Sequence, residues 1–224
     1  MSGSPLTYGD GPLVWVDCEM TGLEDTDVII EIAVIITNGH LEPVDEGIDY
    51  VIRTEKSVLD AMGEWCTTQH RKSGLTDACL SSPHTRQDVV ARVQEYVERW
   101  VPEKGAGVLA GSSVHADARW LRREMPDLMR HLSYRIVDVS SIKEMCRRWY
   151  PSVTAAEKAR RTAEASHRAL DDIQASIREL KFYRDNIFIP LEPVQERTVG
   201  EGEGNSAAAV PAVPAVPVVR KTDM

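Results

Sequence analysis

The sequence predicts an α/β domain in which a mixed central sheet is flanked by helices. Three observations support this fold class. The first half of the chain holds runs of β-branched and apolar residues typical of strands, and the second half alternates short strands with helical segments. A chain of 224 residues with 42% hydrophobic residues is also long enough to bury one substantial core, so a second domain is not expected.

Three antiparallel strands are predicted at the start of the domain. They cover Leu13 to Glu19, which is apolar until its end, Val28 to Thr37, which is rich in β-branched residues, and Gly47 to Arg53. The dipeptide Asn38-Gly39 lies between the second and third strands and predicts a hairpin, because both residues tolerate a positive φ. These strands would form the antiparallel part of the sheet.

Helices and shorter strands are predicted to follow. Helical segments are expected over 57–73 and over 85–100, where apolar residues recur at helical spacing until Pro102 stops the helix. The second half alternates a strand at 107–110, a helix at 116–125, a strand at 134–139, a helix at 140–149 and a long helix at 167–188. The polar residues 151–166 are assigned to no element.

The chain is predicted to contain a short N-terminal extension (1–11), one domain (12–190) and a disordered Ala/Val/Pro-rich tail (191–224). A docking peptide within the tail is the alternative. The longest apolar stretch, 27–37, is too short to span a bilayer and is interrupted by Glu31, and the first residues lack the blocks of a secretory signal. We therefore expect an intracellular, cytoplasmic protein without membrane contact, with a mitochondrial or nuclear pool left open.

Charge and cysteine content exclude further classes of protein. The net charge is −9, of which the tail carries −2 through five acids and three bases, whereas proteins that follow long nucleic acids neutralise many phosphates. The four cysteines show no CxxC spacing, so reduced thiols are predicted rather than a zinc site or disulfides. If the ligand is a nucleic acid, few of its phosphates are held, and binding to long DNA is not expected.

Two acids stand at the end of the first strand. Residues at i and i+2 of a strand point to the same face, so Asp17 and Glu19 lie side by side after an apolar run. Adjacent carboxylates repel each other and are costly to bury, and a divalent cation would relieve both effects. The alternative is that both side chains simply reach solvent at the strand end.

Two further acids are candidates because of the helix faces on which they lie. Asp117 shares its face with the apolar residues Trp120 and Leu121, although an acid near a helix start can also serve the helix dipole alone. In the last helix, Asp172 lies on the apolar stripe, whereas Asp171 lies on the outer face. We therefore expect Asp117 and Asp172 to point inward.

A histidine precedes the last helix. His167 follows Ser166, a possible helix cap, and a histidine in such a position is commonly structural. Imidazole can also accept a proton near neutral pH, which a hydrolytic centre with an activated water requires. His167 is therefore a candidate general base.

Several motifs together resemble one known family. VWVDCEMTGL, LDAMGEWC, KSGLT, AGSSVHADARWL, YRIVDVSSIKE and HRALDDI occur in the order found in the oligoribonucleases, or small-fragment nucleases, of the DEDDh exonuclease group. The resemblance covers about 13–188. It implies an RNase H-like α/β fold and a 3′-to-5′ exoribonuclease that hydrolyses very short RNA, preferably dinucleotides, to nucleoside 5′-monophosphates.

The resemblance also implies roles for the candidate residues. Asp17, Glu19, Asp117 and Asp172 fall on the metal-ligand positions, and His167 falls on the position of the general base. Two divalent ions, Mg²⁺ or Mn²⁺, are implied for the site; in such centres they activate the attacking water and stabilise the leaving oxygen.

The remaining implied residues bind substrate. Leu23 and Trp65 match residues that lie against the bases, although ordinary core packing is the alternative for Trp65. A cap over the 5′ phosphate is matched by Ser113, Tyr134, Arg135 and Ser140. In the family, the residue matched by Tyr134 belongs to a dimer interface, so a homodimer is implied.

The sequence departs from the family pattern at two places. Ser112 stands where asparagine is usual, and the segment that ends in KARRTAEAS before His167 differs from the shorter stretch common in the family. Two other functions are alternatives. One is an exonuclease of the same fold that acts on longer strands, which the phosphate-cap residues disfavour. The other is an inactive scaffold, which the complete set of chemical residues disfavours.

Overall fold

The computed structural model describes residues 3–160 and 168–188. Within them, five strands form one sheet in the order β3-β2-β1-β4-β5. The strands are β1 (Leu13–Met20), β2 (Ile29–Thr37), β3 (Ile48–Val51), β4 (Val108–Gly111) and β5 (Ile136–Asp138). β1 pairs antiparallel with β2 and parallel with β4, so the predicted mixed sheet is confirmed.

Helices lie on both faces of the sheet. They are α1 (Lys56–Asp60), α2 (Glu64–Lys72), α3 (Leu75–Ser81), α4 (Arg86–Trp100), α5 (His115–Glu124), α6 (Pro126–His131), α7 (Val139–Trp149), α8 (Pro151–Arg160) and α9 (Ala169–Ile187). α3, α6 and α8 were not predicted, because each is short or lacks a strong apolar stripe. In the described residues no helix is long and apolar enough to cross a membrane.

The alternation of side chains along β1 divides the core. Val14, Val16 and Cys18 belong to a cluster with α4 and α5, whereas Trp15 belongs to the cluster that α9 covers. Because successive residues of a strand point to opposite faces, Asp17 follows Trp15 onto the α9 face. The acid at the end of β1 therefore lies on the face of the sheet that α9 covers.

The pairing of β1 with β4 is short. It covers only Leu13 to Trp15, opposite Val108 to Ala110, and β4 ends at Gly111, which still pairs with β5. A Cβ at Gly111 would lie 2.8 Å from the carbonyl oxygen of Val16, so only glycine permits this close approach. After Trp15, the edge of β1 that faces β4 is left for groups outside the sheet.

The hairpin predicted between β2 and β3 is present, because the two strands pair antiparallel, but its turn differs from the predicted geometry. The chain does turn back after β2 at Asn38, whose side chain accepts hydrogen bonds from the amides of His40 and Glu42. The positive φ falls on Leu41, however, at 67°, and not on Asn38 or Gly39. The turn is longer than a two-residue hairpin, because β3 begins only at Ile48.

Candidate active site

Three acids meet on the α9 face of the sheet. Asp17 and Glu19 come from β1 and Asp172 comes from the first turn of α9, and one oxygen from each lies within 4.8 Å of the others. All three are partly buried. The i, i+2 spacing in the strand and the apolar stripe of the helix thus bring together the residues that the sequence indicates.

The electrostatics of this acidic cluster, Asp17, Glu19 and Asp172, favour a cation. Burial, followed by the charges of Asp117 and Asp172, raises the pKa of Asp17 well above its ordinary value. Burial, followed by the charge of Glu31, raises the pKa of Glu19 to about 8. Grouped carboxylate oxygens are the ligands that Mg²⁺ and Mn²⁺ prefer. The donor set therefore fits divalent metal ions, which would lower both pKa values.

Asp117 approaches the cluster from another direction. It lies in the first turn of α5, is 6% exposed, and its Oδ1 accepts a hydrogen bond of 3.0 Å from the amide of Cys18. This amide is available because β4 no longer pairs with β1 at that point. Burial raises the pKa of Asp117 to about 7, although the Cys18 amide opposes the shift. Asp117 thus points inward, as predicted, beside the backbone that carries Asp17 and Glu19.

The two neighbouring acids of α9 differ as the helix-face argument predicts. Asp172 is partly buried and belongs to the acidic cluster, whereas Asp171 is exposed. Ile173 and Ile177, which share the apolar stripe with Asp172, pack with Trp15 under the sheet. The packing of this stripe therefore fixes which of the two acids faces β1.

The fifth predicted residue, His167, lies outside the residues that the structure describes. The residue that follows it is described. The Nε and Nη2 atoms of Arg168 lie 2.7 and 2.6 Å from Oε1 of Glu31, which is fully buried in the middle of β2. This ion pair anchors the start of α9 to the sheet.

Sequence reasoning missed one histidine that lies near the cluster. His70 of α2 is 1% exposed, its Nε2 lies 2.9 Å from the carbonyl oxygen of Met20, and its Nδ1 lies 3.9 Å from Oε2 of Glu19. The Met20 carbonyl can only accept, so Nε2 carries a proton. The only sequence signal was a histidine near the end of a predicted helix, which does not indicate a site.

The residues predicted to contact bases are exposed. Leu23 is 68% and Trp65 is 64% exposed, so core packing does not explain Trp65. The loop that carries Leu23 is held to α5 by Arg119, which donates to the Leu23 carbonyl at 3.1 Å and pairs with Asp25. Both apolar side chains are therefore presented to solvent, as stacking residues would be.

The predicted phosphate-cap residues form two pairs. The hydroxyl oxygens of Ser113 and Ser140 lie 3.0 Å apart, and the guanidinium of Arg135 lies 4.5 Å from the centre of the Tyr134 ring. Tyr134 is 83% exposed. At the first departure from the family pattern, Ser112 makes a 2.9 Å hydrogen bond with Ser176 of α9. The serine thus provides a polar link between the end of β4 and α9.

Comparison with known proteins agrees with this geometry. Residues 14–180 match the family model described as Exonuclease. Among solved structures, the exonuclease I of Methylocaldum szegediense superimposes with a TM-score of 0.60 at 17% identity, over 79% of this chain and 41% of that chain. The chain thus spans about two fifths of that enzyme, and the likeness establishes the exonuclease fold.

Curated relatives narrow the class. A probable oligoribonuclease of Schizosaccharomyces pombe is 49% identical, over 77% of this chain and 67% of the relative. The mitochondrial oligoribonuclease of Homo sapiens is 49% identical, over 86% of this chain and 80% of the relative. The oligoribonuclease of Vibrio campbellii is 42% identical, over 82% of this chain and 99% of the relative. The chain belongs to the oligoribonuclease family of exonucleases.

Proposed function

We propose that this protein is a 3′-to-5′ exoribonuclease that degrades very short RNA, dinucleotides above all, to nucleoside 5′-monophosphates. Membership of the oligoribonuclease family supports the reaction and the substrate class. The observation that carries the proposal is the acidic cluster of Asp17, Glu19 and Asp172, with oxygens within 4.8 Å of one another at the end of the central strand.

Four carboxylates would hold two divalent ions, Mg²⁺ or Mn²⁺. Asp17, Glu19 and Asp172 supply oxygens from the α9 face, and Asp117 supplies its carboxylate beside the Cys18 amide, which fixes its orientation. When bound, such ions activate water and stabilise negative charge on phosphoryl and leaving oxygens. The protein's part is to hold these acids in place despite their repulsion: β1 and α9 bring Asp17, Glu19 and Asp172 together, and α5 carries Asp117.

His167 is proposed as the general base that removes the proton from the attacking water. The support is chemical and positional. Imidazole works near neutral pH, and His167 lies five residues before Asp172 in the chain. The adjacent Arg168 is tied to the buried Glu31, so the residue directly after the histidine is anchored to β2.

Substrate selection is proposed to depend on the exposed residues around the cluster. Leu23 and Trp65 would contact the two bases, and stacking on an aromatic ring tolerates any base. The oxygens of the terminal 5′ phosphate would accept hydrogen bonds from three hydroxyls and one guanidinium. These groups belong to Ser113, Tyr134, Ser140 and Arg135. Exposure of Tyr134 supports the proposal of a homodimer in which this side chain is covered by the partner.

The test of function compares substrates and metals in one assay. Metal is first removed from the protein with a chelator. The protein is then given either a 5′-phosphorylated RNA dinucleotide or a much longer RNA, and Mg²⁺ or Mn²⁺ is added last. We expect no turnover without metal, recovery on metal addition, and turnover of the dinucleotide far above that of the longer RNA. Equal rates on the two substrates would refute the preference for short RNA, and full activity in chelator would refute the metal site.

The cellular compartment is a separate proposal. The human, mouse, bovine and budding-yeast relatives are named mitochondrial oligoribonucleases, which supports a mitochondrial pool beside the cytoplasmic one expected from the sequence. Fractionation of cells with an antibody against this protein would measure both pools. Absence from the mitochondrial fraction would refute the mitochondrial pool.

A further inference from the structure

A buried carboxylate lies directly beneath the two serines of the cap. Asp138 is the last residue of β5 and precedes α7, and its side chain is 7% exposed. Its Oδ1 accepts the backbone amides of Ser113 and Ser140, both at 2.9 Å. Its Oδ2 lies 3.0 Å from Nδ1 of His115. One side chain therefore joins the end of β4, the start of α5 and the start of α7.

The backbone at Ser113 needs this support. Its φ is 55°, in the left-handed region, which costs a residue with a Cβ roughly 1–2 kcal/mol. Ser113 is also exposed, so little packing holds this conformation. The hydrogen bond from its amide to Asp138 ties the strained residue to β5. The position of the Ser113 hydroxyl, 3.0 Å from that of Ser140, thus depends on a third residue.

The arrangement resolves an electrostatic difficulty. A carboxylate beside a phosphate subsite would repel the phosphate if its oxygens faced the ligand. Here both oxygens of Asp138 are occupied by protein donors, and the side chain is buried. Asp138 accepts hydrogen bonds from the backbone amides of the two serines and not from their hydroxyls. One hydroxyl proton of the Ser113–Ser140 pair is used between the two oxygens, and the other stays available for an external acceptor.

We propose that Asp138 is a positioning residue for the 5′-phosphate subsite: it does not touch the substrate, but sets the spacing of the Ser113 and Ser140 hydroxyls that do. This inference rests on the proposed function of those serines. It makes the preference for a 5′-phosphorylated dinucleotide, rather than turnover in general, the property that Asp138 controls.

The experiment compares two variants at the same position. In Asp138→Asn the side-chain oxygen can still accept both amides, whereas in Asp138→Ser the hydroxyl can still cap α7 but is too short to reach Ser113 as well. The measured quantity is kcat/KM for a 5′-phosphorylated dinucleotide divided by that for the same dinucleotide with a 5′ hydroxyl. Asp127→Ala, at an exposed acid in the first turn of α6 that pairs with Arg130, is the control.

We expect Asp138→Ser to lower this ratio about tenfold, as loss of a hydrogen bond to a charged group would, with turnover of the 5′-hydroxyl substrate little changed. Asp138→Asn and Asp127→Ala should keep the wild-type ratio. A merely structural role for Asp138 would reduce turnover of both substrates in proportion and leave the ratio unchanged, which would overturn the inference.

The outcomes also separate this inference from the function on which it rests. If the wild type does not distinguish the two dinucleotides, the phosphate subsite itself is wrong, and the role of Asp138 falls with it. If the wild type prefers the 5′ phosphate and Asp138→Ser keeps that preference, only the role of Asp138 is refuted. Circular dichroism and thermal melting establish that each variant is folded. If Asp138→Ser does not fold, Asp138→Glu takes its place. Its longer side chain should displace both amides and lower the same ratio.

Discussion

The acidic cluster and the surface proposed to bind substrate are built in opposite ways. Asp17, Glu19 and Asp172 are fixed by a central strand and by a helix whose stripe is buried under the sheet. Leu23 and Trp65 instead extend into solvent from a loop and from a short helix. The repulsion between the clustered carboxylates destabilises the fold and is offset by the packing around them, whereas the exposed binding surface contributes little to stability. Substitutions in the first should act on chemistry and stability, and substitutions in the second on substrate affinity.

The largest expected effect tests the chemical side of this contrast. Asp172→Asn should lower kcat by about a thousandfold or more, since a lost metal ligand removes several kcal/mol of charge stabilisation. Asp171→Asn, one residue away on the exposed face, should keep most of the activity. Steady-state turnover of a dinucleotide measures both. The opposite ranking would show that the assignment of helix faces is wrong.

The second effect concerns the frame around the cluster. Arg168→Ala leaves Glu31 buried without its cation, so the free energy of unfolding should fall by about 2–4 kcal/mol; Arg168 is one-third exposed, which places the cost below that of a fully buried pair. Denaturant unfolding measures this loss. Arg178→Ala, at an exposed position of the same helix, should change stability by less than about 0.5 kcal/mol. Equal losses in the two variants would mean that the ion pair does not anchor α9.

The third effect belongs to the exposed surface. Trp65→Ala should raise KM about five- to a hundredfold, as loss of stacking on one base would, and should leave the melting temperature nearly unchanged because the ring is 64% exposed. Tyr8→Ala removes a similarly exposed aromatic ring far along the chain and serves as the control. A large loss of stability with unchanged KM would place Trp65 in the core rather than in the binding surface.

The smallest effect links protons and metal at the cluster. The pKa of Glu19 is raised to about 8 in the folded chain, so the folded state binds more protons than the unfolded state between about pH 4.5 and 8. The stability of the chelated protein should therefore fall as pH rises through this window, with Tm shifting by about 2–4 °C per kcal/mol. Mg²⁺ should raise Tm more at pH 8 than at pH 5, because protons and cations compete for the same oxygens.

The control for this experiment is Glu19→Gln, which removes one of the competing carboxylates. Its Tm should depend less on pH and should respond less to Mg²⁺ than that of the wild type. A wild-type protein whose Tm rises with pH across this range would contradict the direction of the Glu19 shift, and one that does not respond to Mg²⁺ at either pH would contradict the site.

Periodicity alone could predict the parts of the site that lie on regular elements. The two-residue spacing of Asp17 and Glu19 and the stripe that selects Asp172 over Asp171 are local properties of a strand and a helix. The strands were predicted for the same reason, with ends within a few residues, as for β2 at Ile29–Thr37. The short α3 (Leu75–Ser81) was missed because seven residues offer too little periodicity.

Long-range partners could not be predicted. Glu31 was visible in the sequence as an acid inside an apolar strand, but its partner Arg168 lies 137 residues further along the chain. Asp138 was not singled out from the sequence, and only the fold shows that its carboxylate contacts Ser113 and His115. The exposed residues Leu23 and Trp65 have no periodic signal, so only the resemblance to a family indicated them.

The way in which α9 is anchored bears on which substitutions can affect Asp172. Asp172 is placed by Ile173 and Ile177 against Trp15 and by the tie between Arg168 and Glu31, all within the sheet and the helix itself. A substitution that shifts α9 would therefore move Asp172 even though the acid itself is unchanged. The apolar stripe is thus constrained by the chemistry at the first turn of its helix as well as by the packing of the core.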